Sequence, residues 1–212
     1  MDGTAADILW DTATVLARAA AEVRRRDVRA LPPLLFFTDP VRTPRPWETA
    51  ARLPAGAAVV YRSFGAPDAV ATAERLRDVT RQAGVLLLIG LDSGLARSVA
   101  ADGVHLPGRA LAQAPAMRDQ RPAWLLTGAV HASDSMAELP ALDAAVLSPV
   151  FSAGGASAAR PALGLEAFAR RVRDAPCPVY ALGGVDVSNA HELICSGACG
   201  LAGVSAIQAA FA

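Results

Sequence analysis

All 20 basic residues of this sequence are arginines; it contains no lysine. That absence removes Schiff-base catalysis, a pyridoxal phosphate anchor and a P-loop, each of which needs a lysine. Arginine does not replace it as a base, because it stays protonated at ordinary pH. Proton transfer near neutrality then falls to the three histidines. His131 is the candidate general acid–base, placed a few residues past an apolar run and after the small Gly128 and Ala129, where it could face a cavity; a hydrogen-bonded structural histidine is the alternative. His105, within Gly-Val-His-Leu, reads as a packed or supporting residue, and His191 as part of an outer helix. The second chemistry is anion binding. Leu182-Gly183-Gly184-Val185 and Gly203-Val204-Ser205-Ala206-Ile207 each place glycine just where a run ends, and the latter leads into a helix. Bare backbone N–H groups and a helix N-terminus suit a phosphate, although glycines also serve tight turns. Arg62 suits an anionic group, or a surface ion pair. Asp39 either orients a ligand or caps a turn. His191, Cys195 and Cys199 recur every four residues, as metal ligands on a helix would. Ser196-Gly197 should end that helix, so no metal site and no disulfide is expected.

Something must position these groups. Eight short apolar runs recur along the chain: 34–37, 57–61, 85–89, 103–106, 123–126, 144–147, 178–182 and 200–204. Their unbroken apolar character predicts strands covered on both faces, as in a parallel sheet. Amphipathic stretches such as 67–83 and 164–174 separate them. Strand and helix alternating eight times predict an α/β fold, a (β/α)8 TIM barrel, for which 212 residues is close to the lower size limit. Leu9, Leu16 and Val23 repeat every seven residues, predicting an extra N-terminal helix over 5–26 that ends in Arg24-Arg25-Arg26 and either caps the barrel bottom or joins a dimer. Pro32-Pro33 stops any helix there. The chain thus divides into a helical extension, 1–30, and one barrel domain, 31–212. In such barrels the working residues lie at the C-terminal strand ends. That rule selects Asp39, Arg62, Asp92, His105, His131, the loop opened by Ser148, Gly183-Gly184, and Val204-Ser205. The glycine-rich stretch 152–157 reads equally as a lid or as a plain surface loop.

Composition narrows the partners. With 53% hydrophobic and 19% charged residues the chain holds a large core. Its 20 basic and 20 acidic residues cancel, so no net field favours nucleic acid or a membrane surface. The densest apolar run, Val85–Ile89, has strand length and not membrane length. Asp2, Asp7 and Asp11 precede any basic residue, unlike a secretory signal, and a cytoplasmic location is expected.

Five motifs in order, Phe36-Phe37-Thr38-Asp39, Ala101-Asp102-Gly103-Val104-His105-Leu106, Ser148-Pro149-Val150-Phe151, Ala181-Leu182-Gly183-Gly184-Val185 and Gly203-Val204-Ser205-Ala206-Ile207, resemble the thiamine-phosphate synthase family, including its tautomerase branch, TenI. The resemblance covers about residues 34–210. It implies a barrel, usually dimeric, that binds a thiazole phosphate with its phosphate at the last two strands. It also implies ligand-binding roles for Arg62, Asp39, Ser148, Gly183, Gly184, Val204 and Ser205. Synthases of the family join a pyrimidine diphosphate to the thiazole phosphate and expel pyrophosphate held on Mg2+. Of their Gln-x-Arg-x-Lys pattern only Arg62 stands here, in Val60-Tyr61-Arg62-Ser63-Phe64. Their metal-binding carboxylates align with Gly90-Leu91, one residue before Asp92, and with Ala110. Their Thr-x-Thr-Lys falls in 153–156 and is absent. The tautomerase branch tolerates these losses, carries proline as at Leu106-Pro107, and has a histidine that matches His131. The resemblance therefore implies first a metal-free thiazole tautomerase with His131 as acid–base and no cofactor. A synthase that uses Mg2+, with Asp92 compensating through a one-residue slip, is the alternative, and a non-catalytic barrel that binds a phosphorylated ligand is a third.

Overall fold

Strands buried on both faces need no polar alternation, and the eight apolar runs form eight such strands. They are β1 (Leu34–Phe37), β2 (Ala58–Tyr61), β3 (Leu86–Gly90), β4 (Gly103–Leu106), β5 (Leu125–His131), β6 (Ala144–Ser148), β7 (Val179–Leu182) and β8 (Gly200–Gly203). In the computed structural model, which describes residues 3–23, 29–136, 139, 141–154 and 160–212, each strand pairs in parallel with its sequence neighbours. The sheet closes where Leu35 pairs with Ala202 and Phe36 with Gly203, so the expected (β/α)8 barrel is the fold. Alternate residues fill the interior: Leu35, Phe37, Val60, Leu88, Val146 and Tyr180 form one buried cluster. Their neighbours Leu34, Phe36, Val59, Leu87, Leu126 and Leu147 belong to a second cluster shared with the helices. Each fully buried Leu or Phe contributes about 1.5–3 kcal/mol.

The helices are α1 (Ala5–Val23), α2 (Pro46–Ala50), α3 (Ala69–Ala83), α4 (Ser93–Ser98), α5 (Ala114–Gln120), α6 (Leu165–Asp174) and α7 (Ser205–Ala210). Among the described residues the circuit of helices is incomplete. A 3-10 turn, Gly108–Gln113, precedes α5, and no helix joins β5 to β6 among the described residues. After β7 a second 3-10 turn, Ala190–Leu193, stands where the sequence suggested an outer helix carrying His191. The four-residue spacing of His191, Cys195 and Cys199 therefore does not gather them on one helix face, and Cys195 is exposed while Cys199 is buried. Among the described residues no helix is long and apolar enough to cross a membrane.

Helix α1 buries Leu9, Ala13 and Leu16 in the main core beside β8, β1 and α7. The heptad reading fails at its third member, since Val23 is 89% exposed. Ala20, with Leu31, packs against the inner cluster, so the end of α1 helps close the barrel bottom. The Arg24-Arg25-Arg26 end lies outside the described residues. Also at the bottom, Tyr180 Oη donates to Pro32 O at 2.6 Å.

One further device locks the bottom, and it occurs twice. Asp102, just before β4, accepts the Leu87 N–H of β3 at 2.7 Å and Arg77 Nη1 of α3 at 2.7 Å. Two strands on, Asp143, just before β6, accepts the Leu126 N–H of β5 at 2.7 Å and Arg118 Nη2 of α5 at 2.6 Å. Each carboxylate ties a strand, its neighbour and an outer helix together. Arginine's fixed fork suits this use, which a flexible ammonium would serve less well.

Candidate active site at the barrel mouth

Inward positions near the C-terminal strand ends lose apolar character and become polar. Arg62 follows β2 directly. Its Nε donates to Thr38 O at 2.8 Å, its backbone N–H donates to Thr38 Oγ1 at 2.9 Å, and its guanidinium lies 5.3 Å from the Phe37 ring centroid. A Cβ at Gly90 would sit 3.2 Å from Arg62 Cγ, so glycine on β3 leaves room for the Arg62 stem. Arg62 Nη2 is buried without a hydrogen-bond partner among the described residues; Asp39 Oδ2 is 4.0 Å away. Burial pushes the Arg62 pKa down to about 10, Asp39 opposing the shift and Arg42 adding to it. It remains a cation at neutral pH, with one N–H to offer an anion.

Asp39 is committed to its own turn. Oδ1 accepts the N–H groups of Val41 (3.1 Å) and Arg42 (3.0 Å), and Oδ2 accepts Arg42 Nη2 at 3.0 Å. Burial raises its pKa, but these hydrogen bonds outweigh it and hold the carboxyl below the ordinary value. Of the two roles open to Asp39 in the sequence, the turn-capping one describes these contacts.

His105 lies inside the barrel. Its Nδ1 is 2.9 Å from Thr127 Oγ1, and its ring meets Phe37 edge to face at 4.9 Å between centroids. Burial, aided by the Arg62 charge, lowers its pKa to about 3, so it is neutral at physiological pH.

His131 is not beyond a strand end. It is the last residue of β5, a strand that runs five residues past the apolar run ending at Leu126. Strand alternation places Leu125, Thr127, Ala129 and His131 on one face, and the buried Leu125 in the inner cluster makes it the inner one. The His131 ring thus reaches the mouth from a rigid element. Ser148, the buried last residue of β6, sets Oγ 3.3 Å from His131 Nδ1. Arg160 Nη1 stands 3.0 Å from Nδ1 and 2.9 Å from Nε2. Arg160 thus sets a cation beside the imidazole from the residues that precede α6. Beside His131 a cavity of about 670 Å³ opens, lined by Pro107, Leu111, Pro115, Ala129 and Asp134 among others.

The paired glycines after β7 answer to packing within the chain. Gly183 and Gly184 adopt φ of +96° and +69°. A Cβ at Gly183 would lie 2.7 Å from Pro149 Cα, and one at Gly184 would lie 2.5 Å from Ser152 O. The loop after β6 packs directly onto them, and Phe151 N–H donates to Gly183 O at 3.0 Å. Left-handed backbone and close approach together require glycine. Val204 and Ser205 stand at the start of α7, whose first-turn N–H groups have no intrahelical acceptor. Of the 152–157 stretch, residues 155–157 lie outside the described residues.

Asp92, the residue beside the position that the resemblance associates with Mg2+, is the N-cap of α4. Its Oδ1 caps α4 by accepting the Leu95 N–H at 2.8 Å. Gly90, Leu91 and Ala110 supply no carboxylate, and among the described residues no three of His, Cys, Asp and Glu gather to hold an ion. The described side chains thus do not fit a divalent cation bound by paired carboxylates.

The structure brings His131 and Ser148 together, and separately Arg62 and Asp39. It adds Thr38, Thr127 and Arg160, which the motifs did not single out. Thr38 stood within a quoted motif, Thr127 was hidden because β5 reads shorter than it is, and Arg160 sits in an irregular loop with no sequence signature.

Residues 41–207 match the family model described as thiamine monophosphate synthase. Relatives named thiamine-phosphate synthase include those of Azoarcus sp., 41% identical over 146 residues (65% of this chain, 68% of the relative), and Chloroflexus aurantiacus, 32% identical over 164 residues (76% of each). That of Methanoculleus marisnigri is 32% identical over 142 residues, 66% of this chain and 67% of the relative. The alignment thus spans about two thirds of the length of several such relatives. A thiamine phosphate pyrophosphorylase from Pyrococcus furiosus superposes with a TM-score of 0.70 over 84% of this chain and 91% of that one, at 24% identity, a likeness of fold. With most of its length matched by that family model, the chain belongs to the thiamine monophosphate synthase family.

Proposed function

We propose that this barrel binds a thiazole phosphate at its mouth and works in the assembly of thiamine phosphate. Of the two reactions open to such a ligand, the relatives' shared name favours the ring-joining one over the tautomerase that the missing metal residues first suggested. In that reaction a bond forms between the thiazole and the methylene of the pyrimidine, the bond from that methylene to the diphosphate breaks, and pyrophosphate leaves. The observation that supports it here is Arg62, a buried cation with an N–H left unpaired, which suits a diphosphate oxygen. Gly183, Gly184, Val204 and Ser205 are the proposed seat of the thiazole phosphate. Because the carboxylates for Mg2+ are wanting, Arg62 is the group of this chain assigned to the leaving charge.

One observation favours the second reading, a proton shift that aromatises a thiazole carboxylate phosphate. His131 and Ser148 form a pair at the mouth, which a proton transfer can use and a ring-joining step does not need. Calorimetry with thiazole phosphate, pyrimidine diphosphate and pyrophosphate, each with and without Mg2+, followed by assays of pyrophosphate release and of C–H exchange, separates the readings. Diphosphate binding with pyrophosphate release supports the joining reaction. Thiazole phosphate binding alone, with exchange lost in His131→Ala, replaces it with the tautomerase. Binding without either turnover makes the barrel a carrier of its ligand.

A further inference from the structure

The loop that follows His131 is held by a side chain from a separate element. Arg171, on α6, directs Nη2 to His131 O at 3.2 Å and to Asp134 O at 2.6 Å, and Nη1 to Ala132 O. Asp134 closes the ring of contacts by accepting the His131 N–H through Oδ2 at 2.8 Å. One guanidinium therefore gathers three backbone carbonyls, one of the strand end and two of the turn that follows it. Loops at a barrel mouth move unless tied, and a planar fork can tie several carbonyls at once where an ammonium cannot. Simple stability is a poor account of this choice. Arg171 Nε is buried without a hydrogen-bond partner among the described residues, a cost that an apolar side chain would avoid.

We infer that Arg171 is a positioning residue for His131: it fixes the strand end and the turn, and so fixes where the imidazole points relative to Ser148. The inference rests on the reading of His131 as a group that moves a proton. A displacement of about 1 Å in a reacting group can cost about 100-fold in rate.

The test uses the full chain with Arg171→Met and Arg171→Lys, labelled with 15N-histidine. Long-range 1H–15N spectra resolve the rings of the three histidines, and His131→Ala assigns the His131 signals. In Arg171→Met the His131 ring signals should shift or broaden while those of His105 and His191 stay. Where wild type shows turnover, kcat should fall about 10- to 100-fold with KM within about twofold. Arg171→Lys should recover part of both effects; should the Met variant not fold, the Lys variant carries the same readouts. His131 signals that coincide with wild type overturn the inference. So does a shift of all three histidines together with a lowered unfolding midpoint, which marks general destabilisation. Full turnover in His131→Ala sinks the proton-transfer reading instead, and the ring signals still decide whether Arg171 fixes His131.

Discussion

Replacing Arg62 with methionine keeps the stem that packs beside Gly90 and removes the charge. In the free protein Arg62 spends one donor, Nε, on Thr38 O at 2.8 Å, and leaves Nη2 buried and unpaired. Removing the unpaired Nη2 relieves a cost, but the substitution also strands Thr38 O, so the unliganded fold should change by no more than about 1–3 kcal/mol. The bound state should suffer. A hydrogen bond to a charged group contributes about 1.5–3 kcal/mol net, which corresponds to about 10- to 150-fold in Kd. Calorimetry of pyrophosphate binding at pH 7 should show a loss in that range for Arg62→Met. Arg62→Lys should also lose affinity, because an ammonium cannot satisfy Thr38 O and reach forward to an anion together. The lowered pKa of about 10 leaves the wild-type side chain charged at pH 7, so incomplete protonation does not blur the comparison. Pyrophosphate affinity within twofold of wild type in Arg62→Met would refute the assignment of Nη2 to an anion.

Three other outcomes are expected. His105 has a folded pKa of about 3 against 6.5 for the free side chain, so the unfolded chain binds the extra proton in between; stability is complete above about pH 6.5 and falls as pH drops toward 3, by roughly 1 kcal/mol per pH unit. Denaturant midpoints at pH 5 and 7 should converge in His105→Gln, and an unchanged pH dependence would show that His105 is not the source. Tyr180→Phe strands the Pro32 carbonyl at the barrel bottom and should cost about 1–3 kcal/mol in urea unfolding, with ligand binding at the mouth untouched. Gly184→Ala places a Cβ 2.5 Å from Ser152 O at φ +69°; thiazole phosphate affinity should drop as the loop after β6 is pushed from its seat, and an unaltered Kd would remove that loop from the site.

The barrel was legible because its physics is repetitive. Eight runs such as Leu34–Phe37 and Val85–Ile89 are largely buried on both faces and so carry no polar alternation to confuse them. The mouth was less legible for the converse reason: inner positions there are polar, so they look like loop. β5 shows this. Thr127, Gly128, Ala129 and His131 read as the start of a connection, yet they continue the strand, because Thr127 Oγ1 is satisfied by His105 Nδ1 within the barrel. Gly183 and Gly184 were found as a signal but with an incomplete cause, since their space is taken by Pro149 and Ser152, which are over thirty positions away in the chain. Arg171 gave no signal, because a basic residue on an amphipathic helix looks like any solvated one until the carbonyls it gathers are placed beside it.

The two ends of the barrel hold different kinds of contact. At the bottom, Asp102 and Asp143 each tie strands to a helix through Arg77 and Arg118, and Tyr180 ties the interior to Pro32. None of these contacts involves a mouth residue, so loss of carboxylates and lysines at the strand ends leaves the fold's anchors intact. At the mouth the chain keeps the cation Arg62 and a His131–Ser148 pair, and among the described residues no three of His, Cys, Asp and Glu gather to hold an ion. On the proposed reading, Arg62 with its unpaired Nη2 meets the negative charge of a diphosphate. An arginine-held anion loses affinity with rising salt, so pyrophosphate affinity measured across ionic strengths, with and without Mg2+, tests whether Arg62 alone meets the leaving charge.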